Sequence, residues 1–175
     1  MTASAFQSAS RYPELLTVLK HFSQIHSDAL AANEKQIAVN DSRIQSTAWQ
    51  VLPLLVEPED KTVMSDTLCQ KNRRHTAATC AMLDAIPTIK AYAFSTLQPG
   101  GHILPHHHDN PFVTAMLCLQ DGGDAFIRVN TEQKYFAQGE VIIFDYTQIH
   151  EVKNNGHEDR IVLLMLLENR QHSPL

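Results

Sequence analysis

Phe94-Ser95-Thr96-Leu97-Gln98-Pro99-Gly100-Gly101-His102-Ile103-Leu104-Pro105-His106-His107-His108-Asp109 is the stretch that decides how this 175-residue chain reads. Residues 88–97 follow a period of two, Pro99-Gly100-Gly101 interrupts it, and 102–106 resumes it. That period marks strands, whose successive side chains point to opposite faces. Pro and Gly supply the turn between them. The second strand therefore ends by delivering three His and an Asp.

Toward the C-terminus the same rhythm continues. Candidate strands cover 112–119, 124–130, 133–137, 141–145, 149–153 and 160–167. Asp121-Gly122-Gly123, Gln138-Gly139 and Asn154-Asn155-Gly156 mark turns between them. Asp121-Gly122-Gly123-Asp124 lacks the ligand spacing of a calcium loop and reads as a hairpin turn. Toward the N-terminus the period changes. Leu15, Leu16, Leu19, Phe22, Ile25, His26 and Leu30 recur at helical spacing after Pro13, which predicts a helix over 13–33. A second helix is expected over 76–86, stopped by Pro87. Trp49-Gln50-Val51-Leu52-Pro53 reads as extended, and Glu57-Pro58-Glu59-Asp60 as a turn. The first ten residues are small and polar and are expected to fray.

Helices first and many short strands later give a mainly β (α+β) class: a barrel or sandwich with helices packed on one face. One domain is expected over 1–175, with a helical part at about 12–87 and a β core at about 88–168. At 43% hydrophobic, the chain can bury a core without disulfides. Cys69, Cys80 and Cys118 form no CxxC pair, so neither a disulfide framework nor a thiolate metal site is indicated. Lys and Arg number 14 against 19 Asp and Glu, a net charge of −5, which argues against nucleic acid or an anionic membrane as the main partner. The N-terminal stretch lacks a basic segment followed by an apolar one, and the longest apolar run, 161–167, is too short to span a bilayer. A cytoplasmic location is the expectation.

Ten His against three Cys is the imbalance that carries chemistry, and six of those His lie between positions 102 and 157. Strand parity lets His106 act with His108, or His107 with Asp109, but not all four together. An antiparallel fold can bring His150 beside them. Two side chains from one strand and a His from a distant one make a facial metal site with open positions, the pattern of non-heme iron oxygenases. Arg160 opens the apolar run 161–167 ten positions after His150. A guanidinium entering a barrel needs an anion, and its planar fork suits a carboxylate. Asp145 is read as orienting an imidazole or bonding its own turn, and His102, by parity, shares the face of His106.

These residues resemble the aspartyl/asparaginyl β-hydroxylase family. Residues 94–106 are similar to its FSxLxPGxxIxPH motif. Gly139-Glu140-Val141-Ile142-Ile143-Phe144-Asp145, His150-Glu151-Val152 and Arg160 are similar to its GExxxFD…HEV…R motif. Thr79-Cys80-Ala81-Met82-Leu83-Asp84-Ala85-Ile86-Pro87 and Tyr12-Pro13-Glu14-Leu15 resemble its helical segments. The resemblance implies a double-stranded β-helix, a jelly-roll or cupin-like barrel, using Fe(II), 2-oxoglutarate and O2. It places His106 and His150 on iron ligands, Arg160 on the residue that pairs with the far carboxylate of 2-oxoglutarate, and Ser95 on a cosubstrate contact. Trp49 falls on a tryptophan near the cosubstrate.

The third ligand stays open between His108, Asp109 and water. The chain departs from the family in 113–119, where Ala115 and Leu117 align with an Arg and a His that hold cosubstrate or substrate in relatives. Whether 2-oxoglutarate is retained is therefore open. The leading expectation is a 2-oxoglutarate-dependent hydroxylase of an aspartyl/asparaginyl or other amino-acid-like substrate, free or peptidyl. Its rivals are a three-His cupin dioxygenase without 2-oxoglutarate and a non-catalytic cupin that binds a small ligand. The sequence does not name the oligomeric state.

Overall fold

A computed structural model of the chain describes residues 4–39, 48–56 and 66–169. The turn expected at Glu57-Pro58-Glu59-Asp60 lies outside the described residues. In order the elements are α1 (Leu15–Lys20), α2 (Phe22–Ala32), β1 (Ile37–Ala38), β2 (Trp49–Leu55), α3 (Asp66–Arg73), α4 (Ala77–Asp84) and β3 (Ile89–Leu97). Then follow β4 (His102–His106), β5 (Phe112–Asp121), β6 (Ala125–Val129), β7 (Glu132–Tyr135), β8 (Val141–Asp145), β9 (His150–Asn154) and β10 (Arg160–Glu168). They form two antiparallel sheets, ordered β1-β2-β3-β10-β5-β8 and β4-β9-β6-β7. This is the expected cupin-type jelly roll.

Alternation along the strands builds two cores. On β5, Val113, Ala115, Leu117 and Leu119 pack with Ile161, Leu163, Met165 and Leu167 of β10 against Leu15, Val18, Ile25 and Ala29 of the helices. The opposite faces supply Met116, Cys118 and Val162, which meet Ile103, Ile127, Val129 and Val152 of the smaller sheet inside the barrel. β10 is buried on both sides, so it reads as a continuous apolar run rather than an alternating one.

The strand boundaries follow the sequence closely, because Gly and Pro set them; Gly100, Gly122, Gly123 and Gly139 all take positive φ in the turns. The helical half departs more. The single helix expected over 13–33 breaks at His21, whose backbone N–H bonds back to Val18 O and whose Nδ1 lies 2.8 Å from Thr17 O. Both helices nonetheless pack into one core with the larger sheet. α3 and β1 carried no periodic signal. α3 is polar apart from Leu68 and Cys69, and its role is edge cover. β1 pairs with Gln50 and Val51, and Asn72 Nδ2–H donates to the Pro53 carbonyl at 2.9 Å farther along β2. Pro53 lies beyond the part of β2 that pairs with β1, so among the described residues that side of the ladder does not need its missing N–H.

Residues 4–7 do not fray as expected. Gln7 N–H donates to Ile143 O at 2.8 Å, and Glu132 accepts from Ser4 Oγ at 2.8 Å and Ala5 N at 2.9 Å. The arm thus stitches β8 of one sheet to β7 of the other and sets Phe6 in the inner core. At the far end of the barrel, Asn154 is fully buried; its Nδ2 donates to Leu97 O at 2.9 Å and Glu158 O at 2.8 Å, and its Oδ1 accepts from Gly156 N. A Cβ at Gly156 would lie 1.7 Å from Gly122 O, backbone that has nowhere to go. Gly156→Ala should therefore cost about 1–3 kcal/mol or more in denaturant unfolding, whereas Gly123→Ala, with open space around it, should be limited to the strain of its positive φ.

Candidate active site

The site begins with a register change. β4 pairs with β9 through Ile103↔Val152 and His106↔His150, so three steps on β4 answer two on β9. That extra residue is a bulge, and it re-aims the strand. Ile103 and Val152 face the inner core, and the bulge turns His106 inward as well. Strand parity put His102 on the face of His106, and here the structure corrects it. His102 lies outside, with Nε2 2.7 Å from Glu151 Oε2, and Glu151 also pairs with Arg128. Glu151 thus ties β4, β9 and β6 together.

Inside, the His106 and His150 rings lie 4.3 Å apart, and His108 sits 5.2 Å from the first and 5.7 Å from the second. One ring nitrogen from each falls within 4.8 Å of the others. His106 Nδ1 is 2.7 Å from Leu104 O, and His150 Nδ1 is 2.8 Å from Gln148 O. A carbonyl oxygen only accepts, so each Nδ1 carries the proton and Nε2 keeps the lone pair a metal needs. His108 is held at two points by Tyr146: its backbone N–H donates to Tyr146 O at 3.2 Å, and its ring stacks on the phenol at 3.8 Å, 8° from parallel. His107 and the fully exposed Asp109 lie 3.7 Å apart outside this group. Of the alternatives for a third ligand, the structure gathers His108. An all-imidazole set fits a first-row transition metal such as iron. Three nitrogens on one ion at about 2.1 Å each lie about 3.0–3.6 Å from one another, so binding asks the trio, now within 4.8 Å, to draw in by as much as about 1–2 Å.

Asp145 serves its own turn. Its Oδ1 accepts from Thr147 N at 2.9 Å and Thr147 Oγ1 at 2.7 Å, and it orients no imidazole by any hydrogen bond seen here.

Arg160 opens β10 at the other end of the barrel, opposite Leu97 of β3 and Asp121 of β5. It is 1% exposed, its guanidinium lies 5.2 Å over the Phe136 ring, and its Nε has no hydrogen-bond partner among the described residues. Burial pushes its pKa down to about 10, which leaves it charged at neutral pH. Leu97 also pairs with Trp49, so Trp49, Ser95 and Arg160 share the inward face. Trp49 Nε1–H donates to Ser95 Oγ at 2.9 Å. Ala115 and Leu117, in contrast, pack against the helices. They cannot report on cosubstrate binding; the inward positions of β5 are Thr114, Met116 and Cys118.

Tyr146, Phe136, Phe144 and Thr114 were not singled out from the sequence. Tyr146 and Phe144 flank the β8–β9 turn, and Phe144 lies 4.9 Å from the His150 ring. Only their nearness to His150 in the chain could have flagged them.

Residues 13–170 match the aspartyl/asparaginyl β-hydroxylase family. The chain belongs to this family. Among solved structures, this hydroxylase-family chain resembles a prolyl-4-hydroxylase from Pseudomonas putida, at 14% identity and a TM-score of 0.50 over 85% of this chain and 88% of that one. It also resembles a predicted oxalate decarboxylase from Thermotoga maritima (18% identity, TM-score 0.48, 77% and 90% covered). A third is a cupin-2 domain protein from Rhodospirillum rubrum (12% identity, TM-score 0.49, 77% and 70% covered). At such identities the likeness concerns the fold alone. No curated protein matches the chain in sequence. Among the described residues no helix is long and apolar enough to cross a membrane.

A buried charge with no anion among the described residues is a local cost to folding. Arg160→Met should therefore raise the melting temperature of the ligand-free hydroxylase in calorimetry, by about 2–4 °C per kcal/mol recovered.

Proposed function

We propose that the chain is an Fe(II)- and 2-oxoglutarate-dependent dioxygenase that uses O2 to hydroxylate an aspartyl/asparaginyl or other amino-acid-like substrate, small or peptidyl. The observation that carries this is the pairing, in one barrel, of three convergent imidazoles with a buried Arg160 that has no carboxylate partner among the described residues. A dicarboxylate with one end for metal and one for guanidinium answers both. Family membership supports the hydroxylase class. The catalytic unit is taken as a single domain over 1–175.

In this reading His106, His108 and His150 hold the metal through Nε2 or its equivalent. Arg160 binds the far carboxylate of 2-oxoglutarate, and Ser95, positioned by Trp49, lies on the same wall. When bound, iron with 2-oxoglutarate supplies the oxidising chemistry, which belongs to the cofactor and not to the protein. What the chain contributes is orientation and dryness. Met116, Val162 and Phe144 line the inner core and exclude water. The carbonyls of Leu104 and Gln148 fix the imidazole tautomers, and Tyr146 holds the ring of His108.

The His108 placement also favours a second reading, a three-His cupin dioxygenase that uses no 2-oxoglutarate. One experiment separates them. With iron, O2 and 2-oxoglutarate the purified protein should form succinate; His150→Ala should abolish this, and Arg160→Met should raise the 2-oxoglutarate KM at least about 30-fold. Metal-dependent oxygen uptake that ignores both 2-oxoglutarate and Arg160→Met would favour the second reading.

Tyr146 gives a further check. Tyr146→Ala should weaken metal affinity about 10–100-fold in a competitive chelator titration, while Tyr146→Phe, which keeps the stacking face, should stay near wild type.

A further inference from the structure

Thr114 is a second polar group inside the barrel whose bonding the fold does not complete. It is fully buried, and its Oγ1 has no hydrogen-bond partner among the described residues. Its neighbours on β5, Val113 and Ala115, pack toward the helices, so Thr114 faces the other way. Across the sheet it stands opposite Phe144 of β8 and Leu166 of β10. Phe144 belongs to the inner core and lies 4.9 Å from the His150 ring. Two residues earlier, Phe112 O accepts from Tyr146 N, the residue stacked on His108. Thr114 therefore sits at the histidine end of the barrel, and Arg160 at the opposite end.

A buried hydroxyl without a partner is uncommon in a native core, because it forfeits its bonds to water and gains none. Local backbone bonding is the usual relief for a strand Thr, and here it is not taken. Val would fill the same volume at no such cost. Two such atoms, Thr114 Oγ1 and Arg160 Nε, both buried and both on the inward face, frame the interior of the barrel from its two ends.

We propose that Thr114 is a ligand-binding residue, donating its hydroxyl to an acceptor oxygen at the metal side of the 2-oxo acid bound within the barrel. This rests on the 2-oxoglutarate reading above and adds a contact to it. It also answers the question raised by the apparent loss of an Arg and a His from 113–119: the inward wall of β5 still offers one polar group, two positions before Met116.

Thr114→Val and Thr114→Ser are the test, in the full chain loaded anaerobically with Mn(II) and titrated with 2-oxoglutarate in a calorimeter. Thr114→Val should weaken 2-oxoglutarate binding about tenfold or more. In the ligand-free state it should raise the melting temperature by about 2–4 °C, since it removes an unsatisfied hydroxyl. Thr114→Ser should restore binding and give no such gain. A structural Thr would behave oppositely: Thr114→Val would lower the melting temperature. Binding within about twofold of wild type in Thr114→Val, or a joint fall in affinity and melting temperature that Thr114→Ser shares, overturns the proposal. If wild type itself binds no 2-oxoglutarate, the cosubstrate reading fails first and this contact falls with it; if wild type binds and Thr114→Val binds equally, only this contact fails.

Discussion

A charged guanidinium enclosed in an apolar barrel is the constraint around which this structure is arranged. Arg160 is 1% exposed and begins a strand that is otherwise hydrophobic on both faces. Its charge is covered by the Phe136 ring, and no carboxylate among the described residues neutralises it. Such a group lowers the stability of the chain on its own, and makes sense when an anion enters the barrel. The flanking order follows from that. Asn154 and the tight approach of Gly156 to Gly122 close the Arg160 end, the arm at residues 4–7 stitches one open seam, and the histidines line the other end.

The second constraint is the bulge on β4. Without the extra residue, His106 would fall opposite the wrong position of β9 and share the outer face with His102. With it, His106 and His150 meet across the ladder and the outer His102 joins Glu151 and Arg128. The same device that breaks the alternation makes the site. Glu151 sits next to His150 in sequence yet points to the other side, where it ties three strands and so keeps the inner pair in register.

How much of this was legible in the sequence differs by element. Strand limits were readable because the Gly and Pro turns punctuate them; β4 and β8 fall where alternation and the turn residues predict. The convergence of His106 with His150 and the burial of Arg160 were legible because strand position and charge type constrain them. The His21 break was not readable, since apolar periodicity runs straight through it. α3 was hidden by its polarity. The facing of His102 differs from parity because the bulge on β4 shifts the alternation by one and reverses the face. The stacking of Tyr146 on His108 and the unsatisfied hydroxyl of Thr114 are tertiary facts with no local signal.

The central claim is that one barrel holds a metal at His106, His108 and His150 and a dicarboxylate reaching toward Arg160. Anomalous diffraction at the iron edge, from crystals grown anaerobically with Fe(II) and 2-oxoglutarate, tests it directly. The account predicts a single anomalous peak bonded to all three imidazoles, with continuous ligand density running from the metal to the Arg160 guanidinium. A peak elsewhere, or a metal on the histidines with no dicarboxylate at Arg160, would contradict it.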